Sequence, residues 1–279
     1  MTIIQFTMSS RIIYLEFGNY RFFIMNRIKV LMSCDDNPFY YEFWNDVSYI
    51  WKNVFNFEPV LFYVSNENNK LLSEHNGTII KVPKLDKFPT YLQAQTARIY
   101  FSKMFKDEVC LLSDIDIIPI DKNFFNTENI LKFVKPNEFF HLNPVSREFG
   151  QFPMCYYVAH GNTYQKMFNN DTWEQFLNKI IKYDFNVDKL GFTLPKHLQG
   201  KNLWFSDELF LFSEITNNKL KINLNNKIIM PHQRLDREQL LSNEVNKIKN
   251  YIDCHMPRPF SMFEKQIHYL IYKIENNNG

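Results

Sequence analysis

Glycine is scarce, with 7 residues in 279, and no stretch carries the closely spaced glycines of a phosphate-cradling loop. The place near the start of the regular pattern where such a loop would stand holds CDDNPFY instead. Cysteine is equally sparse. Cys34, Cys110, Cys155 and Cys254 form no CxxC pair and no short secreted framework, so reduced thiols in a cytoplasmic setting are expected and a structural zinc site is not. Neither sign of charge dominates: 32 basic and 30 acidic side chains leave a net charge of +2. No long-range field therefore marks nucleic acid or an anionic membrane as a partner. No apolar run reaches the roughly 18 residues of a membrane helix, so no transmembrane segment is expected. The N-terminal stretch is hydrophobic but interrupted by Arg11, Glu16, Asn19 and Arg21, which removes the uninterrupted core of a signal peptide.

Aromatic and aliphatic residues are plentiful. The chain is 45% hydrophobic and 17% aromatic, which places it far from disorder and permits a substantial core. The abundance of Phe, Tyr, Ile, Asn and Lys beside so little Gly reads as the residue bias of an AT-rich genome. Residues 1–24 read as an appended segment that could equally supply an extra strand or hairpin. Residues 25–279 read as one domain, because no repeat and no linker rich in Gly, Ser or Pro divides them.

From Arg27 the pattern alternates. IKVLMS (Ile28–Ser33) is a β-rich run, followed by turn and helix-start signals at Asp36, Asn37 and Pro38. A helix-period aromatic pattern covers residues 39–55, then come strands over Pro59–Ser65 and Thr78–Val82. Thr90 can cap a helix whose Tyr91, Ala94, Ala97, Phe101 and Phe105 share one face. EVCLL is the next strand. This order predicts an α/β fold with a mixed, mainly parallel sheet flanked by helices. Further on, Met154–Ala159 and Lys227–Met230 read as strands. Thr163–Phe168, Thr172–Phe185 and Trp204–Ile215 read as helices, the last burying Leu209 and Phe212.

The stretch VCLLSDIDIIP carries the chemistry. A continuous apolar run is a strand buried on both faces, and Asp114 and Asp116 follow it at once. In extended chain, residues i and i+2 project to the same side, so the two carboxylates converge beyond the carboxyl end of a central strand, where open α/β sheets bind ligands. Two close carboxylates repel unless one protonates or a cation intervenes. Oxygen donors of this kind suit Mg²⁺ or Mn²⁺.

The βαβ opening, the helix containing QAQTARIYF and the strand running into SDIDIIP together resemble a glycosyltransferase of the GT-A fold with a DxD motif. The likeness is nearest to enzymes encoded by large DNA viruses, including rhamnosyltransferase-like ones, and spans roughly residues 26–260. The resemblance implies a hexosyl- or deoxyhexosyl-transferase that uses a nucleotide-diphosphate sugar, a divalent metal, and a glycan or glycoprotein acceptor. Carried over by position, Asp114 and Asp116 within Ser113-Asp114-Ile115-Asp116 match the metal and diphosphate motif, so the resemblance implies both as metal ligands, with Asp116 ranked ahead of Asp114 for direct contact. Ser33, Cys34, Asp35 and Asp36 match the loop that grips base and ribose, and Arg98 matches a basic residue near the diphosphate.

Ser206-Asp207-Glu208 resembles the acidic helix start that supplies the base in inverting enzymes. Asp207 is the first choice and Glu208 the second, since at one residue's separation only one is expected to face the site. His255, in YIDCHMPRPF, matches the C-terminal histidine that completes a metal shell, with His232 as competitor. A nitrogen ligand favours Mn²⁺ over Mg²⁺. Arg258 is placed to neutralise a leaving diphosphate, and Phe152, Tyr156 and His160 are candidates for a sugar or acceptor wall. Retaining GT-A enzymes share DxD and the C-terminal histidine, so retention stays open.

Other classes compete. A DxD phosphatase also puts the motif after an apolar strand, but there it opens the domain and a later GDxxxD-like element is needed, which is missing. A nucleotidyltransferase shares the metal logic but uses the early Gly-rich loop this chain lacks. A degenerate, carbohydrate-binding GT-A module would keep the aromatics without needing the full set of acids.

Overall fold

The computed structural model describes residues 6–9, 12–17, 20–24, 28–142, 154–168, 170–183, 205–224, 234–242 and 244–277. The expected strand at Lys227–Met230, the competitor His232 and the wall candidate Phe152 lie outside the described residues.

The N-terminal segment forms a three-stranded antiparallel sheet of its own, β1 (Phe6–Ser9), β2 (Ile12–Phe17) and β3 (Tyr20–Ile24). The central sheet is built from β4 (Lys29–Asp35), β5 (Glu58–Val64), β6 (Thr78–Val82), β7 (Val109–Leu112), β9 (Glu138–His141), β10 (Tyr157–His160) and β11 (Lys221–Leu224), in the order β11-β9-β10-β7-β4-β5-β6. The pairs β4/β5, β5/β6, β4/β7 and β9/β11 are parallel. Among the described strands of this central sheet, only β10 runs against its neighbours, β7 and β9. The expected α/β architecture with a mixed, mainly parallel sheet is observed. A small third sheet joins β12 (Arg234–Leu235), β13 (Asp253–His255) and β8 (Ile117–Pro119).

The helices are α1 (Pro38–Tyr41), α2 (Trp44–Tyr49), α3 (Thr90–Phe101), α4 (Thr127–Phe133), α5 (Gly161–Phe168), α6 (Trp173–Lys182), α7 (Ser206–Asn217), α8 (Arg237–Leu241) and α9 (Phe260–Asn277). No helix among the described residues is long and apolar enough to cross a membrane. All four cysteines are buried free thiols.

The apolar run at β7 is explained by its two neighbourhoods. Val109 and Leu111 enter one core with Phe43, Trp51 and Tyr156, while Cys110 and Leu112 enter the opposite core with Phe62 and Tyr164. A strand covered on both faces has no polar side to alternate with. The run ends at Leu112, and the backbone of Ser113 makes the last step, donating to the Leu31 carbonyl at 3.1 Å. The acids therefore begin where the sheet stops.

Several boundaries differ from the sequence reading. The single helix expected over 39–55 breaks into α1, α2 and a π-helical turn over Ile50–Val54. At this widened turn the Trp51 ring stacks on Phe57 at 5.4 Å between centroids. Pro89, not Thr90, is the N-cap of α3, and no side chain caps it. Gln93 serves the preceding loop instead, accepting from Leu85 N–H and donating to the Leu85 and Phe88 carbonyls. Tyr91 is exposed, because α3 packs between the sheet and α7 and buries Leu92, Thr96, Arg98, Ile99 and Tyr100 along with the expected Ala94 and Ala97. The helix after Thr172 begins as read, with Thr172 and Gln175 forming a capping box. Leu209 is buried as expected and Phe212 is partly so.

Gly161 opens α5 against the turn before β7, its N–H donating to the Glu108 carbonyl at 3.0 Å. A Cβ at this position would lie 2.1 Å from the Phe105 carbonyl oxygen, a backbone atom that cannot step aside alone. Gly161→Ala is expected to cost about 2 kcal/mol or more, read as a lowered urea midpoint; an unchanged midpoint would show that the approach is not this close.

Candidate active site

The carboxyl ends of β4 and β7 open into a cavity of about 420 Å³. Ser33, Cys34 and Asp35 line it from the end of β4, and Asp114, Ile115 and Asp116 from the segment after β7. Arg98 enters from α3, Asp207 and Glu208 from the first turn of α7, and His255 and Arg258 from the end of β13 and the turn beyond it. Side chains separated by more than 200 residues thus meet in one place. Asp36 is exposed and stands outside this lining, and Ser113 is buried beneath it.

The last part of the site is held to the first by backbone pairing. Strand β13 runs antiparallel to β8, with His255 opposite Ile117 and Cys254 opposite Ile118. The Met256 N–H donates to the Asp116 carbonyl at 2.9 Å. His255 therefore lies against the acid motif because the strand after the motif is its pairing partner.

Two guanidinium groups and an imidazole surround Asp116, which is 6% exposed. Its Oδ2 accepts from Arg237 Nη2 at 2.8 Å, lies 3.2 Å from His255 Nε2, and is 3.7 Å from Arg258 Nε. Burial alone would raise this carboxyl's pKa. The His255 hydrogen bond and charge, then Arg258 and Arg237, outweigh that penalty and hold it at about 2. Arg258 also lies over the Tyr40 ring, 4.8 Å from its centroid, a geometry in which the ring face attracts the cation.

Asp114 has different company. One oxygen pairs with Arg98, and the other accepts from the Cys155 thiol at 3.0 Å. Arg98 is buried and also donates to the Ser113 carbonyl and, at 3.3 Å, to Asp207 Oδ2. One guanidinium thus serves two carboxylates. Asp114 holds the closer contact, and its pKa lies below the usual carboxylate range despite burial, mainly through Arg98. Asp207, 4% exposed and the looser partner, is pushed up to about 6 by burial, against Arg98 and with the help of the Asp114 charge. The shortage of positive charge falls on Asp207.

The helix start carries both acids into the cavity. Phe205 is the N-cap, and Asp207 and Glu208 stand in the first turn, where the unpaired N–H groups and helix dipole favour negative charge. Both line the pocket, contrary to the expectation that only one could face it. At a helix terminus next to an open cavity, neighbouring side chains spread across its wall instead of being divided between core and solvent.

Two wall candidates are not brought to the pocket. Tyr156 is fully buried among Trp51, Phe124 and Phe125, and its hydroxyl donates to Asp253 Oδ2 at 2.7 Å. Asp253 also pairs with Arg234 through both of its oxygens, at 2.8 and 2.7 Å. Tyr156 is thus part of the support beneath β13. His160 pairs in register with Val109, at the amino-terminal end of β7, the opposite end of the strand from Asp114. Because β10 runs antiparallel, the sequence that starts near the pocket travels away from it.

Asn37, Tyr40, Tyr91, Gln95, Met154, Phe205 and Arg237 line the cavity without having been singled out from sequence. Tyr40 and Asn37 had a usable signal, since they follow directly on the CDD turn at the end of β4. Arg237 had none: in RLDRE it is one more residue of a charged stretch.

The donor chemistry of the floor can be tested against a divalent cation. Asp116 Oδ2 and His255 Nε2 converge on one point, an oxygen and a nitrogen donor of the type Mn²⁺ accepts. No group of three or more such ligands is assembled among the described residues, because Asp114 is turned to Arg98 and Cys155. Two protein ligands nevertheless suffice for a cation whose remaining positions are taken by phosphate oxygens and water. Asp116 and His255 fit such an ion, with Asp114 as a neighbouring carboxylate.

Fold and site together define an α/β protein with an acid- and arginine-lined pocket at the carboxyl edge of a mainly parallel sheet. No protein-family model matches the chain, and no curated protein matches it. Solved structures are similar over most of its length. One is a glycosyltransferase involved in the glycosylation of the major capsid of PBCV-1, at 10% identity and a TM-score of 0.41, covering 88% of this chain and 98% of that one. Another is the galactosyltransferase LgtC in complex with donor and acceptor sugar analogs, at 10% identity and a TM-score of 0.47, covering 88% of this chain and 95% of that one. Identity is low in both, and the functional reading rests on the pocket itself.

Proposed function

We propose that the chain is a metal-dependent glycosyltransferase that moves a sugar from a nucleotide-diphosphate donor to an acceptor hydroxyl, with inversion. The observation that carries this reading is the meeting of Asp116 and His255 with Arg237, Arg258 and Arg98 in one cavity at the carboxyl edge of β4 and β7. A diphosphate needs concentrated positive charge, and a cavity of this volume suits a ligand with several polar anchor points. A divalent cation held by Asp116 and His255 would supply Lewis-acid stabilisation of the leaving diphosphate.

The chain's own residues take the other parts. Ser33, Cys34 and Asp35, with Asn37 and Tyr40, form the end of the cavity suited to base and ribose. Arg258, held over Tyr40, faces the charge that develops on the diphosphate as the sugar leaves. Arg98 holds Asp114 and Asp207 at a fixed spacing. Asp207 takes the acceptor proton as base, and Glu208, beside it on the same wall, orients the acceptor; should Asp207 prove dispensable, Glu208 is the alternative base. Burial of Asp207 raises its basicity while leaving it ionised at neutral pH.

A phosphatase route fits less well. It would need Asp114 as a nucleophile with an oxygen open to the pocket, whereas both of its oxygens are engaged by Arg98 and Cys155.

The test is a thermal-shift panel of nucleoside diphosphates and sugar nucleotides, with and without Mn²⁺. One nucleotide is expected to raise the melting temperature only when the metal is present, since a ligand that binds only the folded state stabilises it by mass action. A panel without any such stabilisation would remove the reading.

A further inference from the structure

Arg237 stands where the proposed cation would. Its Nη2 donates to Asp116 Oδ2 at 2.8 Å and also contacts His255 Nε2. These are the two atoms assigned above to the metal. Nη2 therefore fills the point at which Asp116 Oδ2 and His255 Nε2 converge. A cation held by the same two atoms would need that point. Guanidinium and cation exclude one another there.

The rest of the side chain suits such an exchange. Arg237 Nε donates to the Met256 carbonyl at 2.8 Å, an anchor separate from the contacts to Asp116 and His255. The Nη2 end can leave the two ligands while this anchor stays. Arg258, on the far side of Asp116 at 3.7 Å, holds no contact to His255 among those described and is tied to Tyr40 instead. Competition for the imidazole is therefore a property of Arg237 alone among the arginines of the pocket. The displaced guanidinium, still anchored at Met256, needs a new anion, and a diphosphate entering the cavity supplies one.

We infer that Arg237 is a built-in competitor for the metal position, which keeps the free protein weakly bound to divalent cations and makes metal loading depend on arrival of the diphosphate. The inference rests on the metal assignment of the proposed function. It adds an order of events: the cation and the diphosphate enter together, and Arg237 passes from the metal ligands to the phosphate oxygens.

The test uses the full chain and Mn²⁺ alone, with no nucleotide, followed by loss of the free-ion electron paramagnetic resonance signal. Arg237→Gln is expected to bind Mn²⁺ about tenfold or more tightly than the native chain, the gain that follows when a competing contact populated about nine-tenths of the time is removed. Arg237→Gln combined with Asp116→Asn should lose the gain. Equal or weaker binding by Arg237→Gln, a gain that survives in the double variant, or no binding by either protein would each overturn the inference. Circular dichroism checks that the variants are folded. If Arg237→Gln is not, Arg237→Lys, which keeps the charge but loses the two-point contact, is expected to show a smaller gain, and none would again overturn it. Donor turnover is a separate assay. A chain that releases nucleoside diphosphate but shows no gain fails this inference alone, and one that shows the gain but acts on no sugar nucleotide fails the proposed function.

Discussion

Asp116→Asn is expected to abolish metal-dependent release of nucleoside diphosphate, a loss of about 10³-fold or more in kcat, in line with the removal of a principal electrostatic group from an enzyme site. The substitution keeps the side chain's shape and removes its charge. Asp116 is the only carboxylate within reach of Arg237, His255 and Arg258 together among the described ion pairs. Without it, a divalent cation would face those groups with no carboxylate between them. The measurements are nucleoside diphosphate release with and without Mn²⁺, and Mn²⁺ binding by calorimetry. Asp116→Asn is also expected to lower stability, since three basic side chains lose their shared counter-charge. A folded variant with unchanged turnover would sink the metal assignment.

The second large effect is on transfer alone. Asp207→Asn is expected to leave donor binding within about twofold and to slow transfer by about 10²- to 10⁴-fold, the span attributed to a positioned general base. The pH dependence carries its own sign. The Asp207 pKa is pushed up to about 6 by burial, which Arg98 only partly offsets, and the base works in its ionised form. Transfer by the native chain should therefore rise as the pH increases through about 6 and level off above it, while the residual rate of Asp207→Asn should lack that limb. A fully active variant, or an unchanged profile, would move the base to Glu208. Donor affinity read by the thermal-shift assay separates this outcome from loss of folding.

Much of the frame was legible because it depends on local pattern. β4, β5 and β7 were readable because buried parallel strands are short, mainly apolar runs, and the partly exposed edge strand β6 because Thr78, Ile79, Ile80 and Val82 are β-branched. The end of β7 at Leu112 was readable because charge follows it immediately. α6 was readable as an amphipathic helix from Thr172, where a local capping box with Gln175 starts it, although it ends at Lys182, short of the expected Phe185. The break between α1 and α2 was not. The aromatic period continues through it, and the π turn at Ile50–Val54 coincides with the fit of Trp51 on Phe57, a tertiary contact.

The candidate site divides the same way. Asp114, Asp116, Arg98, Asp207, Glu208, His255 and Arg258 were named from the sequence, and all line one cavity. Tyr156 and His160 were misplaced because sequence does not show that β10 runs antiparallel, carrying His160 to the far end of the sheet, or that the Tyr156 ring turns inward to Asp253. Arg237 was missed because its role comes from contacts to residues 121 and 18 positions away.

What the amino-acid sequence determined by itself is the alternation of strands and helices, and the place where charge must leave the core. Both follow from burial, which is written into each short stretch. Only the tertiary structure decided which acid faces which cation. Asp114 went to Arg98 and Cys155, and Asp116 to Arg237, His255 and Arg258, although the two stand two residues apart in the same turn. Electrostatic partnership depends on distances of a few ångströms between groups far apart in the chain, and those are set by the pairing of β13 with β8 and the packing of α3 against α7.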